Sequence, residues 1–301
     1  MIRVADLRAG DVLLLRSPGL IAWATRFFDS AEVDRAALYL GDGRVAEAVG
    51  DAVKIRSFDE SAASAESMVV RRLKEHAPME PLLGRSEELL AAPASAAPEV
   101  QLALLCISRK PRASPSLLAL QRAALESGAS AISAPAPLTA AQFVWRCYED
   151  ALPEQSDVYT VRLNGIHYLE MVSGVPMVPG AGVARRRGRG VHPDSVLTWA
   201  AQPAIRARLG SARAGDAPPP LEASLARYRE EVRSDLTVGL PERAQSDALL
   251  ASLQKFAAAW SGKDPPIARG PLPPQLEMLF RSAADLCTAG DLLRSEDLFT
   301  L

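Results

Sequence analysis

The pair Asp42-Gly43, set between two short apolar runs, constrains this chain more than any other local feature. Such a pair supplies the positive-φ positions of the tight turn that joins antiparallel strands. Ala36 to Leu40 before it reads as a buried strand, and Arg44 to Val49 after it as the returning strand. Asp11 to Arg16, an apolar run after Ala9-Gly10, is a turn followed by a strand. Val53 to Ile55 and Ser67 to Leu73 read as two more. Leu20 to Phe28 interrupts them with apolar residues on a helical repeat. Strand character is therefore concentrated in the first 75 residues.

From about residue 80 the pattern turns helical. Glu99 to Ser108 is apolar, and Ser116 to Glu126 is an amphipathic helix. Ser127 to Pro137, rich in Gly, Ala, Ser and Pro, reads as a loop. Thr139 is placed to cap the next helix, which turns Phe143, Val144, Cys147 and Tyr148 inward. Residues 221–261 hold two or more helices, Gly262 to Pro274 is a Pro-rich connector, and a last helix is expected over about 275–287. Strands first and helices after them make the class α+β.

Composition excludes several functions. A net charge of −2 gives no general drive toward nucleic acid or anionic membrane. The basic cluster Ala184 to Arg189 is short, lacks interleaved aromatics and reads as a solvated loop. No run approaches the roughly 20 apolar residues that span a bilayer. The N-terminal residues carry charges where a signal peptide needs an apolar core, so a cytoplasmic protein is expected. Cys106, Cys147 and Cys287 lack metal-ligand spacing, as do His76, His167 and His192. No cofactor or metal is expected, and no dinucleotide or phosphate loop is present.

Two stretches carry a resemblance. Leu7-Arg-Ala-Gly-Asp-Val12 is followed by Leu38-Tyr39-Leu40-Gly41-Asp42-Gly43 and by Val45-Ala46-Glu47-Ala48, and Phe143-Val144 lies within 138–152. Together they resemble the circularly permuted papain-like hydrolases of the NlpC superfamily, the YiiX/YaeF-like group. The resemblance implies a small antiparallel sheet or half-barrel packed on helices. It also implies a cysteine nucleophile at a helix N-terminus, where unpaired N–H groups stabilise the thiolate. A strand histidine would be the general base and a glutamate its orienting partner. On this chain the glutamate falls on Glu47, the histidine on Arg35 and the cysteine on Ala140. The serine after the cysteine falls on Ala141. A methyl group cannot attack, and a guanidinium cannot accept a proton near neutral pH. Glu47 is left to pair with Arg35 across adjacent strands.

The resemblance divides the chain into a core over 1–154, a helical insertion or accessory region over 155–287 and a closing segment over 288–301. The segment Thr288 to Leu298 resembles the family's closing Thr-Pro-x-Asp-Leu pattern, and residues 191–199 are a weaker version of it. If the earlier copy is the counterpart, a separate helical domain begins near 215. The expected function is a catalytically inactive, papain-like binding, scaffolding or regulatory module for a protein, peptide or acyl ligand. One alternative is a thiol amidase or peptidase with a relocated site, using Cys147 and a histidine such as His167. Cys147 lies seven positions after Ala140, about 10 Å further along the helix. The other is a structural subunit of a larger assembly. Oligomeric state stays open.

Overall fold

A computed structural model of the chain describes residues 3–75, 77–90, 92–94, 97–109, 114–152, 158–163, 191, 195–202, 204–205, 208, 217–234, 243–262, 274–284 and 286–301. The three histidines and the 184–189 basic cluster lie outside the described residues.

Among the described residues six strands form one sheet: β1 (Val12–Arg16), β2 (Arg35–Gly41), β3 (Arg44–Val49), β4 (Ala52–Ser57), β5 (Ser67–Leu73) and β6 (Leu298–Thr300). Their order is β4-β3-β2-β1-β5-β6, and every neighbouring pair is antiparallel. The β2–β3 hairpin turns on Asp42 (φ 52°) and Gly43 (φ 71°). Positive φ at both central positions matches the right-handed twist of the flanking strands. Among the described residues eleven α-helices complete the α+β fold: α1 (Leu20–Asp29), α2 (Phe58–Ala63), α3 (Glu80–Leu89), α4 (Pro98–Arg109), α5 (Pro115–Ala131), α6 (Ala140–Glu149), α7 (Val196–Ala201), α8 (Leu221–Ser234), α9 (Arg243–Ser261), α10 (Pro274–Ala284) and α11 (Ala289–Arg294).

Alternation along the strands sends side chains to two covered faces, which is why β1 reads as a continuous apolar run. Val12, Leu14, Ala36, Leu38 and Ala46 pack with Phe143, Val144 and Tyr148 of α6 and Leu292 of α11. Leu13, Ala37, Tyr39, Val45 and Val70 point the other way and pack with Phe58 of α2. A third cluster is helical. It joins Phe28, Leu104, Leu120, Leu197 and Leu225 to Phe256 and Trp260 of α9 and Leu279 of α10.

Two sequence expectations are corrected here. The loop expected from Ser127 is the last part of α5, which runs on to Ala131. Gly128 is there for close approach rather than for a stop. A Cβ on it would lie 2.9 Å from Phe256 Cε2, 3.1 Å from Ala103 Cβ and 3.2 Å from the Glu99 carbonyl oxygen. Nor is the helix expected over 275–287 the last one. It ends at Ala284, and α11 follows, started by a capping box in which Thr288 and Asp291 each accept from the other's backbone N–H.

The two family-like closing segments have different places. Residues 298–300 pair with β5 and extend the sheet. Val196, Leu197 and Ala200 of the earlier segment sit in the helical cluster.

A polar seam joins the sheet half to the helical half. Arg109 of α4 lies 3.0 Å from Asp291 of α11 and 3.4 Å from Asp29 of α1. Arg294 reaches the same two carboxylates at 3.2 and 3.4 Å. Gly290 N–H donates to Asp29 at 3.0 Å, and a Cβ on Gly290 would come within 2.4 Å of that oxygen. Burial, then the negative charge of Asp291, raises the pKa of Asp29 above the usual carboxylate value.

Candidate functional site

The opening Leu-x-x-Gly-Asp-Val motif is a turn that fixes β1. Gly10 has φ +90°, and its N–H donates to the Tyr39 carbonyl at 2.8 Å. The Tyr148 hydroxyl of α6 donates to the Gly10 carbonyl. Asp11, 1% exposed, accepts from the Arg8 backbone at 2.8 Å and from two nitrogens of Arg72, each at 2.7 Å. The tyrosine of the second motif works on the hairpin: Gly43 N–H donates to the Tyr39 hydroxyl at 2.9 Å. These contacts set the sheet against the start of α6.

That start is capped. Thr139 Oγ1 accepts from Gln142 N–H at 3.3 Å, and Gln142 Oε1 accepts from Thr139 N–H at 3.0 Å. Ala140 is the first residue of α6 and is 5% exposed. It forms part of the wall of a cleft of about 350 Å³. Arg35, at the start of β2, lines the same cleft. So do Ser17, Asp34, Gln101, Glu222 and the segment that opens α1.

The guanidinium of Arg35 turns away from α6. Alternation puts Ala36 and Leu38 under α6 and Arg35 on the α2 side of the sheet. There Arg35 Nε lies 3.1 Å from Glu47 Oε1, an ion pair without hydrogen-bond alignment. Its Nη2 donates to Ser64 Oγ at 2.7 Å. Glu47 is fully buried and accepts from the Ser61 hydroxyl at 2.9 Å, with Arg56 at 3.6 Å. A buried carboxylate needs such company, because isolation in a low-dielectric interior costs several kcal/mol, of order those for a single buried ion. Arg35 and Glu47 therefore stand together. Arg35 and Ala140 share a cleft without their side-chain ends meeting.

Cys147 is elsewhere. It is fully buried in the α6–sheet core, and burial pushes its thiol pKa far up. Such a thiol stays protonated at neutral pH and is closed to solvent. Cys106 and Cys287 are likewise buried. Among the described residues no group of three or more His, Cys, Asp or Glu side chains is arranged to hold a metal ion. No described helix is long and apolar enough to cross a membrane.

The sequence reading missed Ser17, Asp34, Gln101 and Glu222. Asp34 is 8% exposed, 2.6 Å from Arg26, and accepts from Ser17 N–H at 2.9 Å. It had one signal, its position next to Arg35 in the motif. The others had none, since the cleft is assembled from segments far apart in the chain.

No family model matches the chain. Over 79 residues, 26% of its length, the chain is 33% identical to the probable lipoprotein peptidase YaeF of Escherichia coli strain K12. It spans 29% of that relative's length. Among solved structures, the metalloprotein YiiX of Escherichia coli O157:H7 aligns with 15% identity and a TM-score of 0.35, covering 70% of this chain and 84% of that one. Over that segment the chain is homologous to YaeF, and its ordered Gly-Asp-Val, Leu-Tyr-x-Gly and Glu47 motifs, with the turns they build, resemble those of the YiiX/YaeF-like permuted papain-like proteins.

Proposed function

We propose that this protein is a papain-like binding or regulatory module that no longer performs thiol hydrolysis. Position 140 carries the reading: the first residue of a capped helix, in a cleft wall, is an alanine. Hydrolysis of this type needs a thiolate at that point and a proton acceptor beside it. Arg35, engaged by Glu47 and Ser64, offers a fixed cation with no basic lone pair. Cys147 does not substitute, because its burial keeps it protonated and inaccessible. What the cleft retains is shape and polarity, which suit a peptide, an acyl group or a protein segment. The accessory region adds Glu222 to its lining.

The test pairs loss with restoration. The wild-type chain is expected to leave nitrophenyl esters and peptide amides intact and to show no selectively reactive thiol. The double variant Ala140→Cys, Arg35→His is expected to gain a thiol that a haloacetamide labels well ahead of Cys106, Cys147 and Cys287. Turnover by the wild type that disappears on Cys147→Ser or on replacement of His167 overturns the proposal.

A further inference from the structure

The cleft beside Ala140 has an unbalanced set of polar groups. Its two inner charges already have partners: Asp34 is held by Arg26 at 2.6 Å, and Arg35 by Glu47 at 3.1 Å. Arg56 shares Glu47 from the α2 side and does not line the cleft. Three acceptors remain without a hydrogen bond or ion pair to any described residue. They are the Glu222 carboxylate, the Ser17 hydroxyl oxygen and the side-chain oxygen of Gln101, whose amide nitrogen donates to the Asp34 carbonyl at 3.2 Å. The remaining walls include Pro18, Leu20, Ile21 and Pro98, and no aromatic side chain lines it among the described residues.

We propose that this cleft binds a small amphiphilic amine, with its primary ammonium at Glu222, Gln101 and Ser17 and its apolar body along the 18–21 segment and Pro98. A primary ammonium carries three donors and no acceptor, which matches three open acceptors. The carboxylate supplies the charge-assisted member of the set. A quaternary ammonium is a poorer fit, because it donates no hydrogen bond and is held by aromatic faces, which are absent among the described lining residues. A volume of about 350 Å³ suits a ligand at the small end of the range for small-molecule sites. Glu222 comes from α8, in the accessory region. That helix is fastened to α1 by Tyr228 against Phe28, with ring centres 5.7 Å apart, and by Arg229 5.0 Å over Trp23. The accessory region thus sets the specificity of the cleft through Glu222.

This inference rests on the binding reading, but its test is separate from the hydrolysis assay. Isothermal titration of the full chain with hexylamine, hexanol, hexanoate and hexyltrimethylammonium reads it directly. Hexylamine is expected to bind most tightly. Glu222→Gln, at an exposed position, is expected to weaken it about tenfold, the loss of one charge-assisted hydrogen bond, while leaving the unfolding temperature in place. Hexanoate or the quaternary ion binding as well as hexylamine overturns the inference. So does an unchanged affinity in the Glu222→Gln variant, or no hexylamine binding up to about 10 mM, a range that covers the weak affinities of small ligands. An inert wild type that fails to bind hexylamine would leave the non-hydrolytic reading standing alone.

Discussion

The sheet half and the helical half of this protein are held together by different means. In the sheet half, buried polar groups fix the turns: Asp11 with Arg72, Tyr39 with the hairpin, Tyr148 with Gly10, Thr139 with Gln142. In the helical half, α1, α4, α5 and α7 to α10 meet mostly through apolar side chains. Closeness there is set by small residues such as Gly128. A sheet built from short strands has its register fixed by turns, and turns need particular residues. Helices satisfy their own backbone, so many apolar sequences give the same packing. The difference explains why the family resemblance is written mostly in the sheet half, while the 155–287 region carries only the weak closing pattern at 191–199.

Four measurements would break or sharpen that comparison. The largest effect is expected in the helical half. Phe256 is fully buried against Trp260, with ring centres 6.0 Å apart, and Phe256→Ala should cost about 4 kcal/mol in urea unfolding. If fluorescence and circular dichroism then report separate transitions, the two halves unfold independently. Next comes Asp11→Ala, which strands Arg72 and the Arg8 N–H. About 3 kcal/mol is expected, and a loss under a third of that would mean the motif is not a structural anchor. Thr139→Ala should cost about 1 kcal/mol through the lost cap on α6. Recovery by Thr139→Ser would assign the loss to the hydroxyl.

The smallest effect concerns the seam. Asp29 has a folded-state pKa raised above its ordinary value of 3.8. Its contribution to stability is therefore complete below that value and declines as pH rises through the folded-state pKa. The stability of the wild type relative to Asp29→Asn should fall as pH rises from the ordinary carboxylate value of 3.8 through the folded-state pKa. A relative stability that rises over this window would mean that Arg109 and Arg294 outweigh burial at this carboxylate.

Legibility followed the same division. The Asp42-Gly43 turn, strands β2, β3 and β5 and the Thr139 cap could all be read locally, because each depends on conformational demands within a few residues. The end of α5 was misread. Gly128 carries the composition of a breaker, but its role is set by Phe256, 128 positions away in the chain. The site split likewise. Arg35, Glu47 and Ala140 were visible as positions in a motif, and the nearness of Arg35 to Glu47 follows from neighbouring strands. The direction of the Arg35 guanidinium, toward α2 rather than α6, depended on which faces the two helices cover.

Residue chemistry alone determined what positions 35 and 140 can never do, since a guanidinium gives up no proton near neutral pH and a methyl group has no lone pair. Only tertiary structure decided what surrounds them. It brought Ser17, Gln101 and Glu222 from distant segments into one cleft, buried Cys147 in the core and gave the sheet its last strand from the 288–301 segment. Local sequence fixes conformation through short-range sterics and hydrogen bonds, whereas a cleft is a sum of long-range contacts that no short window of the chain contains.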